Sequence, residues 1–590
     1  MAFPFVPAAG SGAPDEILPG AGLDRAMRAA IARQCGGISP WSIWMAYADW
    51  AAHLAASPGK QAQLAAKALR KLNRLALYAG ASGIGHGGAT PCIAPLPQDR
   101  RFNDPAWQHW PHNLVYQSFL LVQQWWHNAM SGVHGVSRHH EELANFLTRQ
   151  WLDVFSPANF VSTNPEVWAR TASTGGMNLV RGFSNWLEDV ERYAAGRPEP
   201  GMERYVPGKT VAVTPGKVVF RNRLMELIQY APATAQVHPE PVLVVPSWIM
   251  KFYILDLSPG NSLVRYLVGA GHSVFMISWR NPGAEDRDLG LQDYLDAIHE
   301  ALEAVDAIVP QAKIHLAGYC IGGTMAAITA ARAAKGGKPA LASLTMFASE
   351  LDYEEPGELS LFVDESQIAM LEDLMQDQGF LDGKQLAGAF MMLNSRDLLW
   401  SKRTRNYLLG ERDAPSDLMA WNADATRLPA RMHSEFLRGF YLNNDLAEGR
   451  FRVHGETVAL RDISVPVFAV ATEWDHISPW RSVYKVHLLL DSQVTFLLTN
   501  GGHNAGIVSE PGRADRHFRA GTRERNTPYT APEEWVESAA PGDGSWWPVW
   551  EAWLAERSSA PAAPPPMGNP ERGLAPLDDA PGQYVEIAGG

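Results

Sequence analysis

The stretch Ala317-Gly318-Tyr319-Cys320-Ile321-Gly322-Gly323-Thr324 decides the fold. A short apolar run, Ile314 to Ala317, leads into it; a small-residue helical run, Met325 to Ala334, leads out, and one nucleophilic side chain sits between glycines. This is the pattern of a strand-to-helix nucleophile elbow, with cysteine where serine is usual. The turn is sharp, and glycines are needed where a side chain would collide with the helix packing on its strand. The sulfur is thereby lifted to the top of a sheet at a helix N-terminus, where the dipole favours negative charge. A buried, inert cysteine in a glycine turn is the plain alternative, and the surrounding chain has to decide.

Outward from the elbow, apolar strands are expected at Val242 to Pro246, Ser273 to Trp279, Ile314 to Gly318, Leu341 to Ala348, Val467 to Thr472 and Val494 to Thr499. Most are continuous apolar runs alternating with helical segments such as Asp293 to Val309, as in a mostly parallel sheet covered on both faces. Thr210 to Thr214 and Lys217 to Asn222, joined through Pro215-Gly216, read as a hairpin ahead of it. More than a hundred residues separate the strand ending near Ala348 from the one beginning near Pro466. That is too long for a crossover, and an inserted cap at about 349–465, carrying Trp400, Trp421 and Tyr441, explains it.

Upstream, residues 23–205 read as a helical domain, with helices at Asp24 to Gln34, Ser39 to Ala56, Gln61 to Tyr78, Pro111 to Met130, Glu141 to Phe155 and Asn178 to Ala195. Residues 1–22 are Pro/Gly/Ala-rich and expected to be disordered, and Gly80 to Thr90 reads as a linker. The α/β domain runs from 206 to 558. Near its end Trp546, Trp550 and Trp553 share one face of a short helix that should dock on the body. The Pro/Ala-rich tail, 559–590, is expected to be mobile.

The balance of 50 basic and 63 acidic residues gives a net charge of −13, which argues against a polyanion-binding surface, so nucleic acid is not an expected partner. Three cysteines, Cys35, Cys92 and Cys320, are too few and scattered for a disulfide framework or a cysteine metal site, and a reducing cytoplasm fits them. Met1 to Gly22 lack the basic region of a secretion signal, and no apolar run reaches membrane-spanning length. His134, His139, His140 and Glu141 look superficially like ligands but enter a polar helix face; neither a metal nor a cofactor is expected. The 21 tryptophans suggest apolar channels or a water-insoluble partner as well as core packing.

An elbow nucleophile needs a base and an orienting acid, here in the chain order nucleophile, acid, base. The strand Val467 to Thr472 runs into Glu473-Trp474-Asp475-His476, and Val494 to Thr499 into Asn500-Gly501-Gly502-His503-Asn504-Ala505-Gly506. Both follow the carboxyl ends of their strands, where the crevice of an open α/β sheet lies. Cys320, Asp475 and His503 therefore form the candidate triad, His503 as base and Asp475 as its orienter, with Glu473 and His476 as competitors. The oxyanion hole should use the backbone N–H of Ile321 and one from Ser247-Trp248-Ile249, assigned to Ile249. Such a site also suits a thioesterase or polyester hydrolase; a granule-binding protein without catalysis is the reading from another class.

Several stretches carry a family resemblance: 245–257 (Val-Pro-Ser-Trp-Ile-Met-Lys-Phe-Tyr-Ile-Leu-Asp-Leu), Ser278 to Pro282, Gly318 to Thr324, Trp421 to Thr426, Asp475 to Trp480 and Gly501 to Gly506. Asp99 to Phe102, Gln150 to Asn164, Leu179 to Gly182 and Trp546-Trp547-Pro548 add to it. Together, over roughly residues 90 to 558, the chain resembles the polyhydroxyalkanoate synthase family, in its single-component, class I-like form. The resemblance implies an α/β-hydrolase fold and an acyltransferase that polymerises (R)-3-hydroxyacyl-CoA with release of coenzyme A. It also implies a homodimer, cytoplasmic and bound to polyester granules. It places the catalytic residues at Cys320, Asp475 and His503, and substrate contacts are expected at Trp248, Tyr319 and Trp421. The family has Pro where Ser247 stands, Asn where Met250 stands, and Arg-Pro-Asn-Asp where this chain has Asn394-Ser395-Arg396-Asp397, departures that bear on the substrate entrance.

Overall fold

The computed structural model describes residues 21–35, 37–83, 90–96, 99–336, 339–393 and 395–589. The expected disordered segment lies outside the described residues up to residue 20, as do 84–89 of the expected linker and Asn394 of the altered cap motif.

Among the described residues ten strands build one sheet: β1 Gly216–Arg221, β2 Met225–Tyr230, β3 His238–Val245, β4 His272–Trp279, β5 Ile314–Tyr319, β6 Leu341–Phe347, β7 Val467–Thr472, β8 Val494–Thr499, β9 His517–Arg523 and β10 Ala540–Asp543. Their spatial order is β1-β2-β4-β3-β5-β6-β7-β8-β9-β10. The neighbours from β4 to β8 are parallel, and an antiparallel pair flanks them at each edge. Every residue of β4, β5, β7 and β8 is buried, because helices cover both faces. On one face Leu295, Ile298, Met325 and Ile328 of the helices Leu291–Ile308 and Ile321–Ala333 pack on Leu243 and Leu316. On the other, Trp546 and the helix Trp547–Ala555 lay indoles against Phe347 and Phe468. This is the α/β-hydrolase arrangement, and the six expected apolar strands are β3 to β8.

The expected hairpin is different. Residues 210–214 form no strand, and Ala212 sits at φ 52°. The hairpin pairs β1 with β2, and Asn222 makes its turn by accepting the amides of Leu224 and Met225 at 2.8 Å each.

The tail, expected to be mobile, instead lies along the body. Leu577 N donates to Val218 O at 2.8 Å, Val218 N to Asp578 O at 2.9 Å and Ala580 N to Gly216 O at 3.0 Å, so it pairs with the open edge of β1. Val585 is buried, and its carbonyl accepts Lys251 Nζ at 2.5 Å. Pro and Ala do not prevent docking when the backbone finds a strand edge to bond to.

Among the described residues seven α-helices precede the sheet: α1 Ala21–Gln34, α2 Pro40–Ala55, α3 Pro58–Gly83, α4 His112–Met130, α5 Arg138–Val154, α6 Pro165–Thr174 and α7 Met177–Ala194. Buried among them, Arg101 bridges Asp99 (2.8 and 2.9 Å) and Asp153 (2.7 Å). His140 Nδ1 is 2.6 Å from Asp49, and His139 Nε2 is 3.5 Å from Asp364. Among the described residues no helix is long and apolar enough to cross a membrane.

Residues 348–466 leave the sheet between the paired strands β6 and β7. The N-terminal helices grip this insertion: Ser39 N bonds Gln367 Oε1 (2.7 Å), Ser42 Oγ bonds Asp364 (2.9 Å), and Arg412 reaches Glu188 (3.0 Å) and Asp189 (2.8 Å). At Gly182 a Cβ would stand 1.9 Å from the Tyr407 carbonyl oxygen, so glycine is what lets α7 approach.

Candidate active site

Cys320 follows β5 and precedes the helix Ile321–Ala333 at φ 54°, ψ −130°, a conformation that costs about 1–3 kcal/mol for a residue with a Cβ and persists where its surroundings enforce it. The Cys320 amide donates to Phe347 O at 2.8 Å, extending the β5–β6 pairing by one residue. The glycines are steric necessities. A Cβ at Gly318 would lie 2.4 Å from Gly322 O, and one at Gly322 would lie 2.2 Å from Val245 O. The half-buried sulfur stands above the sheet as the elbow pattern requires.

β7 and β8 are adjacent, so the loops leaving their carboxyl ends meet. His503 Nδ1 lies 2.8 Å from Asp475 Oδ2. Asp475 Oδ1 accepts the amides of Ile477 (2.9 Å) and Ser478 (2.8 Å), so the carboxylate is fixed before it meets the ring. Burial would lower the pKa of His503; the charges and hydrogen bonds of Asp475 and Cys320 outweigh it and raise the pKa well above the ordinary histidine value. The structure thus brings Cys320, His503 and Asp475 together. Of the competitors, Glu473 turns toward His517, at 3.5 Å.

Tyr319 is buried, its ring 5.6 Å from that of His503 and its hydroxyl 2.5 Å from Asn504 Oδ1. The other two expected substrate contacts, Trp248 and Trp421, are buried. Trp248 is a core residue against Tyr294 at 4.9 Å, and Trp421 is buried with its only donor on Lys251 O at 2.7 Å. Trp421 therefore braces the loop after β3, as does Thr426, whose hydroxyl reaches Trp248 O (2.8 Å) and Ile249 O (2.6 Å). The donor expected at Ile249 is also engaged: its N–H donates to Ser247 Oγ at 3.1 Å. A side-chain acceptor two residues back takes this amide.

Sequence reasoning missed the groups that hold the His503 loop. Trp546 Nε1 donates to Gly506 O and Trp547 Nε1 to Ile507 O, both at 3.0 Å, and Arg516 bonds Ala505 O at 2.5 Å. It also missed Glu350, buried three residues past β6. Its place beyond the carboxyl end of a central strand was the available signal.

Three family models match the chain: "Poly-beta-hydroxybutyrate polymerase N terminal" over residues 19–60, "Poly-beta-hydroxybutyrate polymerase (PhaC) N-terminus" over 98–267, and "alpha/beta hydrolase fold" over 240–510. Among curated proteins, the chain is 40% identical over 540 residues to a poly(3-hydroxyalkanoate) polymerase of Methylorubrum extorquens, covering 90% of this chain and 88% of that one. It is 36% identical over 510 residues to the poly(3-hydroxyalkanoate) polymerase subunit PhaC of Cupriavidus necator, covering 85% of each.

Proposed function

Because the chain belongs to the poly(3-hydroxyalkanoate) polymerase family and is an acyltransferase, we propose that it polymerises (R)-3-hydroxyacyl-CoA through covalent thioesters on Cys320. The observation that carries this reading is the 2.8 Å pairing of His503 with Asp475 beside a cysteine held on a strained elbow.

His503 takes the Cys320 thiol proton; the sulfur attacks the acyl carbon, and the coenzyme A thiolate leaves with that proton. The exchange of one thioester for another is close to thermoneutral. Transfer of the acyl group to a hydroxyl then runs downhill, with His503 accepting the hydroxyl proton and Cys320 released. Asp475 holds the imidazole in one tautomer and stabilises its protonated form. The Ile321 N–H, an orphan of the first helical turn, and the Trp248 N–H serve the thioester oxygen, Trp248 replacing Ile249 because Ser247 already takes the latter.

Residues 349–465 act as the cap that keeps water from the acyl-enzyme. A cytoplasmic homodimer on the polyester granule fits the apolar side chains that α3 and α7 leave exposed, Leu69, Leu72, Phe183 and Trp186 among them. The test is coenzyme A release and product analysis with 3-hydroxybutyryl-CoA. Polymer from the wild type and none from Cys320→Ala is expected; free acid as the sole product would make the protein a thioesterase.

A further inference from the structure

Just past β6 the chain wraps the first turn of the elbow helix. Ala348 turns at φ 47° with its amide on Val470 O (2.8 Å), Ser349 Oγ occupies the space beside Gly323, and Glu350 O accepts Thr324 Oγ1 at 2.7 Å. This brings a carboxyl group into the interior next to the reactive cysteine: Glu350 is 3% exposed, and its Oε1 has no hydrogen-bond partner.

Its charged neighbours are committed elsewhere. Asp475 is bound by His503 and two amides. Lys485, whose charge reaches Glu350, pairs with Asp352 at 3.4 Å and Glu355 at 3.7 Å. The aromatic residues Tyr353 and Tyr441, also within its electrostatic reach, pack at 5.0 Å from each other. Burial first, then the charges of Asp475 and Cys320, raise the Glu350 carboxyl above the usual range and so favour its protonated form, which has one O–H to donate and a carbonyl oxygen to accept. An unsatisfied buried polar group destabilises the fold, and a leucine here would remove that penalty. The missing partner is then a ligand group.

If the site carries a 3-hydroxyacyl thioester, as proposed above, that group can be identified. The thioester oxygen belongs to the backbone amides, and the charged bulk of coenzyme A has no place beside a dry carboxyl. The remaining polar atom of the acyl unit is the hydroxyl two carbons from the reacting carbonyl. We propose that the Glu350 side chain hydrogen-bonds the 3-hydroxyl of the acyl group carried on Cys320 and so selects hydroxylated over plain acyl thioesters.

The test compares single-turnover coenzyme A release from 3-hydroxybutyryl-CoA and butyryl-CoA. A site built to bond a hydroxyl should favour the first by about 10²-fold or more. Glu350→Leu and Glu350→Met should each bring the ratio to within about tenfold of unity while melting at or above the wild-type temperature, and Glu350→Gln should keep it near the wild-type value. A wild-type ratio in both apolar variants overturns the assignment of Glu350 and leaves the polymerase reading standing. No release from either thioester by the wild type removes the polymerase reading, and this inference with it.

Discussion

Asp475 offers His503 one oxygen, 2.8 Å from Nδ1, while its other oxygen is held by the amides of Ile477 and Ser478. The carboxylate cannot rotate away without breaking two backbone bonds. Asp475→Asn keeps the shape but presents an amide that can stabilise the wrong imidazole tautomer. Turnover measured by coenzyme A release should fall by about 10³–10⁴-fold, with melting little changed.

The Ser247 hydroxyl takes the Ile249 amide at 3.1 Å. With Trp248 as the oxyanion donor, Ser247→Ala should leave the acylation rate within about threefold of wild type, because the lost bond is worth only about 1 kcal/mol. A tenfold gain in stopped-flow acylation would return the role to Ile249.

The indole N–H of Trp547 holds Ile507 O at 3.0 Å, four residues beyond His503. Trp547→Phe removes that bond and little of the packing. Stability should drop by about 1–3 kcal/mol in denaturant melts, and the rate should fall more than that loss of folded protein explains, as the loop gains freedom.

At the amino ends of the strands, opposite the reactive sulfur, His272 and His315 are buried. Burial lowers them from 6.5 to about 3 and about 4, for His315 against the opposing charge of Glu240. The unfolded chain binds their protons first as pH falls, so their contribution is intact above pH 6.5 and is lost progressively down to about pH 4 for His315 and about pH 3 for His272. Each should cost up to about 1.4 kcal/mol per pH unit in that window. Melting temperature against pH should show the decline, and His315→Gln should make it shallower.

The legible strands were those whose burial on both faces demands unbroken apolar runs, β3 to β8. β2 was missed because Glu226 and Gln229 interrupt its pattern, although both are buried. They are polar because the tail needs them: Glu226 accepts the amides of Gln583 and Tyr584, and Gln229 bonds Pro566 O and Gly568 N. Unread β2 and the misread tail are one error, since each supplies the other's hydrogen bonds, while β9 and β10 went unread as well. That Cys320, Asp475 and His503 come together was legible because each follows an identifiable strand. Trp248, Ile249 and Trp421 were assigned roles that depend on where a side chain or amide points, and Ser247 and Thr426 decide that through contacts a linear reading does not contain.

The indole that secures Gly506 is forty positions downstream of it. A nascent polypeptide therefore carries Cys320 long before the tryptophan that steadies the His503 loop has been added.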